Sequence, residues 1–215
     1  MAPYLDTIFL ALTFIISISL HEYAHARTSN YFGDPTPKLQ GRLTPNPLVH
    51  IDPLGFVLIF VINFGRWRPV IINPGYYKNP LRDELLVALA WPATNIGLAI
   101  LGTLIMLIYI KITGATQLLT ADPIIQFRYL FSRINVALAV FNLIPLPPLD
   151  GYRIVKFLKP SRWERLETYR RYIWMVFILL IVLPWPVGNI ISGTIATIAQ
   201  FIYGIIHLLL SFVIL

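Results

Sequence analysis

Long apolar tracts almost free of charge alternate with basic segments along the 215-residue chain. A helix needs about 20 mostly apolar residues to cross the hydrocarbon core of a bilayer. Such tracts predict membrane spans at residues 7–26, 85–110 and 134–149. The tract 172–215 contains no Asp, Glu, Lys or Arg, and the Pro- and Gly-containing turn at 184–189 divides it into two more helices. The pattern therefore predicts about five transmembrane helices.

One further apolar run, Phe56 to Phe64, is too short to cross a bilayer and is bounded by Gly55 and Gly65. It predicts a short re-entrant or β-containing membrane-associated segment. The predicted fold class is an all-α integral membrane protein with this one additional segment. Because no internal repeat or low-complexity linker divides the sequence, residues 1–215 are expected to form a single polytopic domain.

The composition excludes several classes of protein. Apolar residues make up 57% of the chain and charged residues 13%, whereas soluble domains carry roughly 25% charged residues. A soluble globular enzyme is therefore excluded. The net charge is +7, but no basic run is dense enough to predict a nucleic-acid surface. Since the chain contains no cysteine, any metal must be bound by His and carboxylate side chains.

The basic residues predict the orientation in the membrane. Seven Lys or Arg lie between the first and second predicted spans and seven between the third and fourth, against Lys111, Arg128 and Arg133 on the other side. Because cytoplasmic loops carry the excess of Lys and Arg, we expect an integral cell-membrane protein with its N-terminus outside and its C-terminus in the cytoplasm. A cleaved signal peptide ending at Ala24-His25-Ala26 is the alternative, but residues 1–6 lack a basic start.

The end of the first predicted span carries a metal-binding motif. His21-Glu22-Tyr23-Ala24-His25 has the HExxH pattern, in which two imidazoles four residues apart share one helix face and the Glu can act on a metal-bound water. The alternative is a set of internally hydrogen-bonded polar residues at a helix end. Each ionisable group near the bilayer centre costs about 2.5–3.5 kcal/mol, which favours the functional interpretation.

A catalytic zinc site usually has three protein ligands and one open position, so a third ligand is needed. The candidates are His50, His207 and the carboxylates near the membrane. The first and third spans are predicted to run in the same direction and to bring His21 and Asp150 to similar depths, after about 21 Å and 24 Å of helix. We expect His50 to belong to a Pro-rich loop and His207 to be hydrogen-bonded inside the last span. The pattern alone leaves the choice among carboxylates open.

The HExxH motif and the segment Asn142-Leu143-Ile144-Pro145-Leu146-Pro147-Pro148-Leu149-Asp150-Gly151 together resemble the paired signature of the site-2 protease family of intramembrane zinc metalloproteases. Further similarity, to short bacterial and archaeal members without a PDZ domain, lies in residues 41–47, 50–53, 73–74 and 78–80. The resemblance covers about residues 1–155, which are expected to be the catalytic core, with accessory helices at about 172–215. One departure is Trp91, which stands where such members commonly have Gly.

The resemblance implies a zinc endopeptidase that hydrolyses peptide bonds in transmembrane or membrane-proximal segments of substrate proteins. It implies one Zn²⁺ ion bound by His21, His25 and Asp150, with Glu22 as the catalytic general base. The expected partners are transmembrane protein substrates and the lipid bilayer, with no nucleic acid, and the active site is expected to open toward the cytoplasm. Two alternatives are a catalytically inactive scaffold or chaperone, and a metal or solute transporter, which would spread polar groups through several spans.

Two asparagines are candidate substrate-binding residues. Asn142 and Asn95 lie in predicted spans, where their amides can hydrogen-bond the substrate backbone or a developing oxyanion. The alternative is that each simply joins two helices. Four tryptophans near predicted interfaces are expected to belong to aromatic belts that anchor the helices: Trp67, Trp91, Trp163 and Trp174.

Overall fold

The computed structural model describes residues 3–52, 68–114, 122–147, 149–160, 167–182 and 186–214. Within these ranges the chain is mainly α-helical and contains no β-strand. The helices are α1 (Pro3–Tyr31), α2 (Thr36–Leu39), α3 (Pro47–His50), α4 (Pro80–Thr113), α5 (Pro123–Asn142), α6 (Gly151–Leu158), α7 (Arg170–Val182) and α8 (Pro186–Ile214). A 3-10 turn, Pro74–Tyr76, precedes α4.

Four helices, α1, α4, α5 and α8, are long and apolar enough to cross a membrane. The all-α membrane class is therefore confirmed, whereas the predicted count of five is not. The described part of α7 has 13 residues, fewer than the roughly 20 that a span requires. The re-entrant or β-containing segment predicted at Phe56 to Phe64 lies outside the described residues.

The third span begins and ends earlier than the predicted 134–149, and this prediction was wrong. Asp122 caps the first turn of α5 by accepting hydrogen bonds from two backbone N–H groups. The helix therefore starts well before residue 134, where the predicted span began. Arg128 and Arg133 are accommodated because one donates to a backbone carbonyl of α4 and the other to a tyrosine hydroxyl. The helix ends before Pro145, which cannot donate a backbone hydrogen bond.

Helices α1 and α5 run parallel to each other, and α4 runs antiparallel to both. Near the N-termini of α1 and α5, the rings of Phe9 and Phe127 lie with their centroids 5.2 Å apart. At the same end of the bundle, the Tyr109 hydroxyl near the end of α4 donates to Asp122 at 2.9 Å. The predicted parallel arrangement of the first and third spans is confirmed, and it places the C-terminal ends of both helices beside the start of α4.

Small residues bring the helices close together in the core. Ala99, Val136, Ala199 and Tyr203 form a buried cluster where α4, α5 and α8 meet. A Cβ atom at Gly102 of α4 would lie only 2.6 Å from the Ser132 hydroxyl of α5. A larger residue at position 102 would therefore crowd side chains of α5, and small residues of this kind are common where membrane helices pack closely.

Candidate metal centre

Two histidines of α1 and one aspartate converge at the end of the bundle where α4 begins. His21 and His25 lie one helical turn apart, and Asp150 precedes the first residue of α6. One potential ligand atom from each of the three side chains lies within 4.8 Å of the other two. The two histidines are 8% and 7% exposed, and the aspartate side chain is 12% exposed. Three metal-binding groups thus share one largely enclosed position.

The geometry of His25 fits a zinc ligand. Its Nδ1 lies 3.0 Å from the Val87 carbonyl oxygen, which can only accept, so Nδ1 carries the proton in the neutral ring and Nε2 presents a lone pair. That Nε2 lies 3.1 Å from Asp150 Oδ2. Bond lengths to zinc of about 2.0–2.2 Å and a tetrahedral angle would separate two such ligand atoms by about 3.4 Å. The observed separation of 3.1 Å is close to this expected distance between two ligand atoms.

His21 supplies a second observation in favour of a metal. Its Nδ1 is buried and has no hydrogen-bond partner among the described residues. Buried polar atoms are nearly always paired, so the unpaired nitrogen of this ring, whose side chain converges with His25 and Asp150, supports a bound ligand. Two imidazoles and one carboxylate also form the donor set of three-ligand catalytic zinc sites, which leave a fourth position open. The residues present therefore fit zinc.

Glu22 is held beside these ligands by the main chain. Its Oε2 accepts a hydrogen bond from the Val70 backbone N–H at 2.8 Å, and its Oε1 lies 3.5 Å from His21 Nε2. The side chain is buried, with the whole residue 7% exposed. One carboxylate oxygen is therefore fixed by the backbone, while the other faces the candidate ligands, as a general base requires.

The segment that carries Val70 is attached to the turn that follows α1. Gln40 exchanges two hydrogen bonds with the backbone of Ile71, at 2.9 Å and 3.3 Å, and Asp34 accepts the Asn73 N–H at 2.7 Å. Asp34 is fully buried. Although burial opposes its charge, hydrogen bonds from Thr36, Asn73 and Ser29 hold the pKa of Asp34 below its ordinary value. These contacts fix the position of the N–H group that orients Glu22.

Comparisons with known proteins agree with this geometry. The family model described as Peptidase family M50 matches residues 106–184, which include Asp150. The protein named "Putative zinc metalloprotease YwhC" of Bacillus subtilis is 39% identical over an alignment of 192 positions, and the alignment covers 84% of this chain and 86% of that protein. The chain belongs to peptidase family M50. It is therefore a zinc metalloprotease of the site-2 protease type, and the predicted family is confirmed.

A second relative is more distant. "Putative zinc metalloprotease Rip2" of Mycobacterium tuberculosis is 30% identical over an alignment of 180 positions, and the alignment covers 79% of this chain but 64% of that protein. The M50 chain thus spans slightly less than two thirds of Rip2. No solved structure matches the chain.

Gly151 explains why the M50 chain can turn sharply at Asp150, the candidate third ligand. A Cβ atom at this position would overlap the carbonyl group of Leu143, at the end of α5. The chain between these two residues folds back on itself through short turns, with hydrogen bonds from Leu146 N to Ile144 O and from Leu149 N to Leu146 O. The return places Asp150 directly beside His25. Glycine after the ligand is therefore a requirement of close backbone approach.

The two candidate substrate-binding asparagines occupy different settings. Asn142, at the end of α5, donates to the Leu138 carbonyl of its own helix at 3.0 Å. Asn95 is fully buried in α4 and donates to Asn135 Oδ1 of α5 at 3.1 Å, while its own Oδ1 has no partner among the described residues. The amide of Asn95 thus joins two helices, and its oxygen is left available as an acceptor.

Neither of the other two histidine candidates belongs to the group of converging ligand atoms. His50 ends α3, is fully buried, and its Nε2 lies 2.8 Å from the Thr44 carbonyl oxygen. Burial lowers the pKa of His50, which favours the neutral ring. His207 lies on α8 with its ring centroid 6.1 Å from that of Tyr203. Asp150, the carboxylate that the resemblance implies, is the third member of the converging group.

The prediction that Trp91 belongs to an interfacial belt was wrong. Trp91 is 2% exposed; its ring packs against the His21 imidazole and stacks at 27° and 6.3 Å on that of His25. The physical reason is its position in the N-terminal half of α4, on the side that packs against His21 and His25 of α1. The signal was present in the sequence, since Trp91 replaces a Gly common in the family. Trp67 and Trp163 lie outside the described residues.

Sequence reasoning missed two charged residues near the centre, Glu84 and Arg153. Glu84 is 6% exposed, and Arg153 contacts both Glu84 and the candidate ligand Asp150. A carboxylate in the first turns of an apolar helix was the available signal, because such a group is costly near a membrane unless it is paired. Its partner could not be found by spacing, since 69 positions of chain separate residues 84 and 153.

Proposed function

We propose that this M50 metalloprotease is an intramembrane endopeptidase that cuts transmembrane or membrane-proximal segments of other proteins. One zinc ion would be bound by His21, His25 and Asp150, and Glu22 would act as the general base. The observation that carries this proposal is the convergence of three ligand atoms within 4.8 Å, at one end of a bundle of helices long and apolar enough to cross a membrane.

The roles of the side chains follow from their contacts. When bound, zinc supplies a Lewis acid that polarises the substrate carbonyl and acidifies a water molecule. Glu22 Oε1 would accept the proton of the attacking water, because Oε2 is already engaged by the Val70 N–H. The resulting carboxylic acid would then donate that proton to the leaving nitrogen. Peptide hydrolysis is thus completed without a covalent bond between the enzyme and the substrate.

Substrate binding requires an exposed peptide carbonyl. In a transmembrane helix this carbonyl is bonded to an amide four residues later, so the helix must unwind locally before attack. We propose that Asn142 and Asn95 bind the unwound backbone or the developing oxyanion. The unpaired, buried Oδ1 of Asn95 supports this role, because it can accept a substrate N–H. For Asn142, the amide group would have to exchange its bond to Leu138 for one to the substrate.

We propose that the metal centre opens toward the cytoplasm, with the N-terminus outside and the C-terminus inside. Two basic residues of α6, Arg153 and Lys156, lie at the same end of the bundle as Asp150, which the positive-inside rule assigns to the cytoplasm. Because the chain has no cysteine, single-cysteine variants report sidedness directly. A membrane-impermeant maleimide should label Leu39→Cys only from the cytoplasmic side and Ile112→Cys only from outside. Both positions are highly exposed, Leu39 at 82% and Ile112 at 79%, so the introduced thiols would be accessible.

The deciding experiment changes the base without changing the ligands. The wild type and Glu22→Gln would be reconstituted in proteoliposomes with single-span reporter proteins, and the fragments identified by mass spectrometry. We expect the wild type to release fragments cut within the span, and Glu22→Gln to release none while it retains the zinc content of the wild type. Equal cleavage by Glu22→Gln would refute the assigned base, and cleavage only at sites remote from the membrane would refute an intramembrane function.

A further inference from the structure

A chain of charged side chains connects the candidate ligand Asp150 to helix α4. Arg153, one turn into α6, places its NH1 3.4 Å from Asp150 Oδ1 and its Nε 3.5 Å from Glu84 Oε1. Lys156, three residues farther along α6, donates to Glu84 Oε2 at 2.9 Å. Glu84 therefore contacts two cations, one through each carboxylate oxygen, and only one of these cations touches Asp150.

This chain is more enclosed than an ordinary surface ion pair. The side chain of Glu84 is 7% exposed, that of Arg153 is 19% exposed and that of Lys156 is 32% exposed. An isolated carboxylate at this depth would be costly, so the paired arrangement is required once Glu84 is present. Surface ion pairs contribute little to stability, because water screens the charges and both side chains lose conformational entropy when they pair. These costs are smaller for side chains that the surrounding structure already holds in place.

The two oxygens of Asp150 have different partners. Oδ2 faces His25 Nε2 at 3.1 Å, whereas Oδ1 faces Arg153 at 3.4 Å. A carboxylate that binds a metal through one oxygen is oriented by what its other oxygen contacts, and such supporting contacts affect metal affinity. Arg153 is suited to this task because its charged, planar guanidinium lies between the two carboxylates: NH1 donates a hydrogen bond to Asp150, and Nε forms an ion pair with Glu84 that is not a hydrogen bond.

We propose that Glu84 is a positioning residue of the metal centre, which acts through Arg153 to hold Asp150 with Oδ2 directed at the metal. This inference rests on the proposed zinc site. Glu84 belongs to α4, which also supplies the Val87 carbonyl that orients His25. One helix thus orients two of the three ligands, one through a main-chain oxygen and the other through two consecutive ion pairs.

The test measures metal affinity instead of proteolysis. The full-length protein, purified in detergent and stripped of metal, would be titrated with zinc in competition with a chromogenic chelator. We expect Glu84→Gln and Arg153→Met each to weaken zinc binding by about 10- to 100-fold, the usual effect of losing a partner of a metal ligand. The visible absorption of the Co²⁺-loaded protein should change in both variants, because the ligand geometry changes.

Lys156→Met is the matched control. It removes the other ion pair of Glu84 but leaves the link from Glu84 through Arg153 to Asp150, so zinc affinity should stay within about twofold of the wild type. A merely structural role in joining α6 to α4 would affect all three variants alike. The effects of the two substitutions should not add, since both interrupt the same connection. The double variant Glu84→Gln/Arg153→Met should therefore bind zinc about as tightly as the single variant that binds it less tightly.

The outcomes separate this inference from the proposed function. If Asp150→Ala binds zinc as tightly as the wild type, the proposed metal site itself is wrong. If Asp150→Ala loses zinc while Glu84→Gln and Lys156→Met both match the wild type, only the positioning role is wrong. If Glu84→Gln does not give a helical protein by circular dichroism, Arg153→Lys tests the same link. Arg153→Lys retains the positive charge but lacks the planar guanidinium group. Unchanged zinc affinity in that variant would overturn the inference.

Discussion

His25 Nε2 lies 3.1 Å from Asp150 Oδ2, although 125 positions of the chain separate the two residues. The contact joins the end of α1 to the turn that follows α5, and it exists only because these two helices run parallel. Neither segment could bind a metal with three protein ligands by itself. The candidate metal centre is therefore a product of tertiary packing, and it should be sensitive to changes on either side of this contact.

Replacing Asp150 with Ala should abolish stoichiometric zinc binding, because two imidazoles then remain as the only protein ligands. Metal analysis of the purified protein would measure this. Asp6→Ala, a change of the same type at an exposed position of α1, should retain full zinc content. Full occupancy in Asp150→Ala would require a different third ligand, and His50, the buried histidine of α3, would be tested next.

Gly151→Ala should impair the metal centre without removing a ligand. The added Cβ would overlap the Leu143 carbonyl group, which is backbone and cannot rotate away, so the turn that carries Asp150 must shift. Because small displacements of catalytic groups reduce rates strongly, we expect at least a tenfold loss of proteolysis together with weaker zinc binding. Gly97→Ala is the control, since a Cβ there meets nothing within 4 Å. Wild-type zinc affinity in Gly151→Ala would contradict this account of the turn.

The sequence predicts the metal centre well wherever one element determines the geometry. His21 and His25 share a face because of helical periodicity alone, and Glu22 follows from the same motif. Asp150 required the resemblance to a known family, because no local rule relates two segments so far apart. The sequence thus predicted the motifs that carry the candidate ligands and, through the parallel spans, their similar depth, but it did not predict the direct contact between His25 and Asp150.

The prediction of the third span failed for a physical reason. It treated every Arg as a boundary, yet Arg128 and Arg133 lie inside α5 with hydrogen-bond partners. A capping residue, Asp122, was the better indicator of the start of the helix, since it satisfies free N–H groups. The contacts of Glu84 with α6 were equally inaccessible, because they depend on how α4 and α6 pack.

Trp91 should stabilise the fold around the ligands. Its ring is almost fully buried against His21, so Trp91→Ala would leave a cavity and cost about 3–5 kcal/mol of the free energy of unfolding. The thermal unfolding midpoint in detergent should fall clearly, and zinc binding should weaken because His21 loses its support. Trp91→Phe keeps an aromatic ring and should lose less in both measurements. An unchanged midpoint in Trp91→Ala would show that this ring does not pack in the core.

Asp34→Asn should make the protein less stable at neutral pH. Asp34 accepts hydrogen bonds from the Ser29 hydroxyl and from the backbone N–H groups of Thr36 and Asn73. An asparagine has only one side-chain oxygen, so at least one buried donor would lose its partner, at a cost of about 1–3 kcal/mol. The free energy of unfolding, or the thermal midpoint, would be compared with that of the exposed-site control Asp6→Asn.

The pH dependence of this difference follows from the lowered pKa of Asp34. A carboxyl group whose pKa is lower in the folded state contributes stability above its unfolded pKa of about 3.9, and loses it as the pH falls through the folded value. The wild type should therefore have a larger free energy of unfolding than Asp34→Asn at pH 7. The difference between the two proteins should become smaller below about pH 4. If this difference in the free energy of unfolding is the same at pH 7 and at pH 3, the charge of Asp34 does not stabilise the turn that supports Val70 and Glu22.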